Sequence, residues 1–277
     1  MTGWLPFHWH LGELAFIVVA GLAHHLVVCD QRLRRRAELA LVMLVVVVVW
    51  PIGDLAASVS LTVATLQRLV IMLAVAPLLL RATPTSVFES LTRPASVDRA
   101  LRVLSHPGMA LAVVTALGTT TLITPVVDWG AHSAVGRDAI VVATLGAGLL
   151  LWLPVIHVVP GTRVLSPIAR AGYVFASSIV VTSLSIVWIF ARHSLYPALH
   201  HQSELHLSAL LDQQLAGFVA KLGAYAPMWA IAFVIFSRAD RDVVPVEEAP
   251  LHWADVQREL LRVDRQRVRD LRRHKAS

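Results

Sequence analysis

Apolar positions in this chain come in long unbroken blocks, not in the short alternating or helical-stripe patterns of a soluble fold. Seven blocks approach the ~20 residues that a helix needs to cross a bilayer. They are residues 11 to 28, 39 to 58, 61 to 80, 108 to 127, 139 to 158, 167 to 190 and 213 to 236. The clearest starts at Leu39 and holds the Val45 to Val49 run. Those β-branched residues favour strand in water, but a segment in lipid must satisfy its own backbone, so helix is expected. In the first block, Glu13 stands near one end and His24 and His25 near the other. The predicted fold is an all-α integral membrane protein of seven transmembrane helices.

Composition supports this. Of 277 residues, 56% are hydrophobic and 15% charged, and the mean hydropathy is +0.66. A soluble domain carries about 25% charged residues, so a purely water-soluble protein is excluded. The single cysteine, Cys29, excludes an internal disulfide and any Cys-x-x-C zinc or redox motif. No Lys or Arg stands among the first ten residues, so a cleaved leader is not expected.

Basic residues near span ends stay in the cytoplasm, which orients the bundle. With the N-terminus outside, all of the 24 Lys and Arg except Arg68, Arg137, Arg192 and Lys221 fall in residues 29 to 38, 81 to 107, 159 to 170 and the tail from 237. The C-terminus is then cytoplasmic. The pI of about 10.4 follows from this topology and calls for no nucleic-acid partner. Residues 1–236 form the membrane domain, and 237–277 a linker, marked by Pro245 and Pro250, followed by a tail. In that tail Trp253, Val256, Leu260 and Leu271 recur at helical spacing among Arg and Lys, as in an amphipathic helix on anionic lipids of the inner leaflet. A solvated basic tail is the plain alternative.

Two sets of residues carry candidate chemistry. Of the 13 histidines, His8, His10, His132, His193, His200, His201 and His206 fall in external segments, and His8, His10, His200, His201 and His206 are the candidate ligands there, since neutral imidazoles suit copper, zinc or nickel; interfacial hydrogen bonding is the plain alternative. Five methionines without a Met-rich run, and a lone cysteine on the inner side, argue against a thioether or thiolate copper(I) site. The second set is ionisable and lies inside spans, where a charge costs ~2.5–3.5 kcal/mol and normally faces the bundle interior. Arg68 and Lys221 are expected at similar depth, roughly 10–14 Å from the outer ends of their helices. Asp54, Asp212, Gln67 and Gln213 are expected around them. A structural interhelical network is the plain reading of this set, and Asp212 with Gln213 also suits an N-terminal cap on the last helix. No G-x-S-x-G, H-E-x-x-H or paired intramembrane aspartate is present, so no enzymatic activity is expected. Ser177, Ser178 and Ser183 read as small packing residues. A small anion or metabolite transporter lined by Arg68, Lys221, Asp54 and Asp212 is the alternative class.

Four ordered segments carry a resemblance. They are Trp50-Pro51-Ile52-Gly53-Asp54, Thr65-Leu66-Gln67-Arg68 running to Pro77 and Pro84, Gly148-Leu-Leu-Leu-Trp152-Leu-Pro154, and Tyr196-Pro197 followed by Asp212-Gln213-Gln214-Leu215-Ala216-Gly217. Together they resemble the seven-helix CtaG family of bacterial cytochrome c oxidase assembly factors of the caa type. The resemblance runs from about residue 39 to 236. It implies an assembly or accessory protein in the bacterial plasma membrane, haem-copper oxidase subunits as partners, and a link to copper. The chain departs from the family pattern, in which a histidine follows the glutamine where Arg68 stands, further histidines precede the fifth span where Arg137, Asp138 and Val141 stand, and an aromatic or apolar residue stands near Lys221. Arginine has no lone pair for a metal, so the resemblance implies that any copper site at Arg68 is lost.

Overall fold

The apolar blocks are mainly helical where they are described, because an unpaired N–H or C=O in lipid costs several kcal/mol and a helix leaves none inside the segment. The computed structural model describes residues 11–28, 30–49, 52–53, 56, 60–196 and 207–242, and among these there is no strand. Contacts divide the chain into Met1–Phe236 and Ser237–Ser277, the second described only to Asp242. The helices are α1 (Leu11–Val27), α2 (Gln31–Leu44, widening into a π segment at Val45–Val49), and α3 (Leu61–Ala82, with a π segment at Ile71–Val75). After them come α4 (Thr85–Leu91), α5 (Ala95–Leu104), α6 (Pro107–Thr120), α7 (Thr124–His132), α8 (Ala134–Ile156), α9 (Pro167–Val181), α10 (Ser185–Ile189) and α11 (Ala209–Asp242).

Helix α8 is central, packing on α6, α7 and the second half of α3, while α2 lies along the end of α3. The core joins Ala76, Val114, Leu151, Trp152, Val174 and Met228 from α3, α6, α8, α9 and α11. Large apolar side chains are left facing outward, among them Leu26 (83% exposed), Phe190 (77%) and Phe233 (70%). A soluble monomer rarely exposes so much apolar surface in continuous faces, whereas lipid accommodates it.

The span boundaries need correction. Among the described residues, four helices are long and apolar enough to cross a membrane: Leu61–Ala82, Ala134–Ile156, Pro167–Ile189 and Ala209–Ala239. A fifth results if α5 and α6, bent by 86° at their break, are counted as one. The predicted span over 108 to 127 breaks after Thr120, where the Thr121 hydroxyl turns back to the Gly118 carbonyl (2.9 Å) and a new helix begins at Thr124. The predicted span over 167 to 190 loosens at Thr182–Leu184, where Thr182 and Ser185 bond back to the Ser178 and Thr182 carbonyls. The second block begins eight residues earlier than expected, because the Asp30 carboxylate caps Gln31–Leu44 through the Arg32 N–H (2.8 Å).

Both π segments have a sequence cause. In α3 the Ala76 N–H bonds the Ile71 carbonyl, five residues back, so the Met72 carbonyl loses its usual partner. The next donor along the chain would be Pro77, which has no N–H. The Trp152 indole N–H fills the gap at 2.9 Å. In α2 the Val47 carbonyl looks four residues ahead to Pro51, again without an N–H, and the Gln67 side-chain amide takes it at 2.9 Å. Two adjacent helix pairs, α2 with α3 and α3 with α8, are therefore joined through carbonyls that proline sets free.

Candidate functional site

The amino end of α3 is held by the first turn of α11. Ser60 is extended (φ −163°) and accepts from the Thr62 N–H, the usual N-cap arrangement. Asp212 reinforces it. Its carboxylate accepts from Ser60 Oγ (2.5 Å), the Leu61 N–H (2.7 Å), the Thr62 N–H (3.2 Å) and Thr62 Oγ1 (2.7 Å). The expectation that Asp212 caps its own helix is thus corrected. Ser208 does that, accepting from the Leu211 N–H (3.2 Å), and Asp212 is left to neutralise the positive end of α3.

Gln213 turns the other way: its Oε1 accepts from the Leu195 N–H at 2.7 Å, and Gln214 donates to the Ala191 carbonyl at 3.2 Å. Beside them the Tyr196 hydroxyl donates to the Leu122 carbonyl (2.8 Å) and accepts from the Trp188 indole (3.1 Å), its ring edge-on to Trp188. Burial pushes the Tyr196 phenol above its ordinary range. Gly217 sits where a Cβ would lie 2.9 Å from the Ser185 carbonyl, so α11 and α10 touch backbone to backbone. In this way Asp212-Gln213-x-x-x-Gly217 ties α11 to α3, to the loop before it and to α10.

Arg68 reaches from α3 to the turn after α6, donating to Thr121 Oγ1 (3.0 Å) and to the Thr121 carbonyl (2.9 Å). It borders two cavities, of about 100 and 110 Å³. The first also has Ser60, Thr65, Gln67, Arg137 and Val141 on its wall. Arg68, Arg137 and Val141, three positions singled out in the sequence, thus meet at one cavity. The second is more apolar, running past Met72 and Val114 to Trp188. Lys221 is not brought to this centre: its Nζ lies 4.4 Å from the centroid of the Tyr225 ring one turn on, and it lines neither cavity. Asp54, His8, His10, His200, His201 and His206 lie outside the described residues.

Copper requires lone-pair donors, which a guanidinium does not have. Among the described residues, the wall of the Arg68 cavity offers Arg68 and Arg137 with no histidine, cysteine or carboxylate, and no group of three or more His, Cys, Asp or Glu side chains converges. These described residues do not fit a copper ion. Reading residues singly, the sequence missed Ser60, Thr62, Thr65 and Thr121. A Ser followed by a Thr two residues later, ahead of an apolar block, was the available signal for the first pair.

Outward apolar faces around a hydrogen-bonded polar centre define a helical membrane protein whose helices are fixed by side-chain-to-backbone bonds. The chain belongs to the cytochrome c oxidase caa3 assembly factor family (Caa3_CtaG), whose model matches residues 37–242. No curated protein and no solved structure matches it.

Proposed function

We propose that this protein serves the assembly of a haem-copper oxidase in a bacterial plasma membrane, as a non-catalytic accessory protein that engages oxidase subunits within the bilayer. The family match over residues 37–242 carries this reading. The chain spans the membrane seven times, N-terminus outside and C-terminus in the cytoplasm, which puts the polar centre at the outer end of α3. The inner face contacts anionic lipid. Arg102, Arg163 and Arg170 line a groove of about 830 Å³ there, which supports that contact. The Arg68 cavity is not where copper is handled, because its donors are cationic.

Deletion of the gene, followed by blue-native electrophoresis and oxidase activity in isolated membranes, tests the reading. Loss of assembled oxidase, restored by the wild-type chain, is the expected result; full assembly without the protein overturns it. A periplasmic reporter signal from a fusion behind Ser277 would overturn the topology separately.

A further inference from the structure

We propose that the cavity between Arg68 and Arg137 binds a phosphate group. This rests on the cavity and not on the assembly role. The space lies between the first half of α3, the turn joining α6 to α7, and the amino end of α8, and among the described residues no Asp or Glu lines it. Of its polar side chains, the Ser60 hydroxyl is committed to Asp212 and the Gln67 amide to Val47. Arg68 uses two N–H groups on Thr121, and the rest of its donor fork stays available. The Arg137 guanidinium bonds to no described residue.

Thr65 supplies an independent pointer. It is 5% exposed, and its hydroxyl has no partner. Thr115 and Thr144, inside other helices, instead turn back to the carbonyl four residues earlier (both 2.7 Å). The available donors on the wall are thus a buried hydroxyl and two guanidiniums.

A cation is repelled from such a site, and a neutral ligand leaves two positive charges uncompensated in surroundings that screen poorly. A phosphate carries about −1.5 to −2 charges and offers several acceptor oxygens, matching two guanidinium forks and a hydroxyl. About 10–15 Å³ of such space holds one water. The cavity's roughly 100 Å³ therefore admits a phosphate group but not a nucleotide. The group is either free inorganic phosphate or the headgroup of a phospholipid entering from the bilayer.

The test uses the full-length protein in phosphatidylcholine nanodiscs, titrated with inorganic phosphate at constant ionic strength against chloride, and read by calorimetry and thermal shift. Saturable binding is expected, weakened at least tenfold by Arg137→Gln and several-fold by Thr65→Val. Arg68→Gln also removes the bonds to Thr121, so the deciding variant is Arg137→Gln, with unchanged helical circular dichroism as the folding control. In a second arm, nanodiscs doped with phosphatidic acid are measured by native mass spectrometry. Lipid retained by the wild type and lost in Arg137→Gln identifies a headgroup as the source. Absence of both saturable phosphate binding and Arg137-dependent lipid retention overturns the proposal, as does equal binding by the wild type and Arg137→Gln.

Discussion

The carboxylate of Asp212 accepts the backbone N–H of Leu61, 151 residues earlier in the chain, at 2.7 Å. One acidic side chain thereby closes the start of α3 and fixes where the last helix begins to pack.

Asp212→Ala removes the acceptor for two backbone N–H groups and two hydroxyls, leaving donors buried. A loss of about 1–3 kcal/mol is expected, read as a lower melting temperature in detergent. Asp212→Asn, which keeps one oxygen acceptor but no charge, falls between. A melting temperature equal to wild type would mean that Ser60 caps α3 unaided.

Trp152→Phe and Gln67→Leu each orphan a carbonyl that proline has already deprived of its chain partner. Each costs about 1–3 kcal/mol, and the double variant is expected to approach the sum of the two, because the carbonyls are on different helices. A chemical-denaturation series of the four proteins reads this directly.

At Gly148 a Cβ would lie 2.8 Å from Ala76 Cβ and 2.9 Å from Met72 Cα, and neither atom belongs to a flexible side chain. Gly148→Ala therefore pushes α8 off α3 and costs roughly 1–3 kcal/mol. At Gly146, where nothing lies within 4 Å, the same change is expected to be harmless. Melting both variants side by side separates packing from helix propensity.

Burial raises the Tyr196 phenol, so its contribution to stability is fully present below the unfolded value of about 10 and is lost as pH climbs toward and past the folded one. The wild type is expected to lose stability at strongly alkaline pH more steeply than Tyr196→Phe. At neutral pH the variant starts lower, having lost the bonds to Leu122 and Trp188. Melting curves from pH 7 upward check both signs.

Copper analysis of the purified protein is expected to give the same content for the wild type and Arg68→Gln. Stoichiometric copper that vanishes on changing Arg68 or Arg137 would overturn the exclusion of metal from that cavity.

What the chain disclosed on reading follows physical range. Blocks of apolar residues reported helices, and the helical ends at Gly148–Pro154 and Asp212–Gly217 stood out as motifs, because composition and short spacing act locally. The purpose of those motifs was not legible: Trp152 meets Met72 80 residues away, and Asp212 meets Ser60 152 residues away. A local capping rule assigned Asp212 to its own helix because nothing nearby marked Ser208 as the better cap. Lys221 was grouped with Arg68 on depth alone, but depth does not fix which way a side chain turns, and Tyr225 one turn on holds its ammonium. The breaks after Thr120 and Val181 arise from hydroxyls choosing backbone carbonyls, which an apolar average over 20 positions smooths away.

The widened turns of α2 and α3 set a limit on how this bundle moves. Each is engaged like a tooth by a side chain from the next helix, so rolling or sliding of α2, α3 or α8 against its neighbour would strand a bare carbonyl in hydrocarbon, at a cost of several kcal/mol. Those three helices form a stator, and any rearrangement that accompanies work on a client protein falls to the helices outside it.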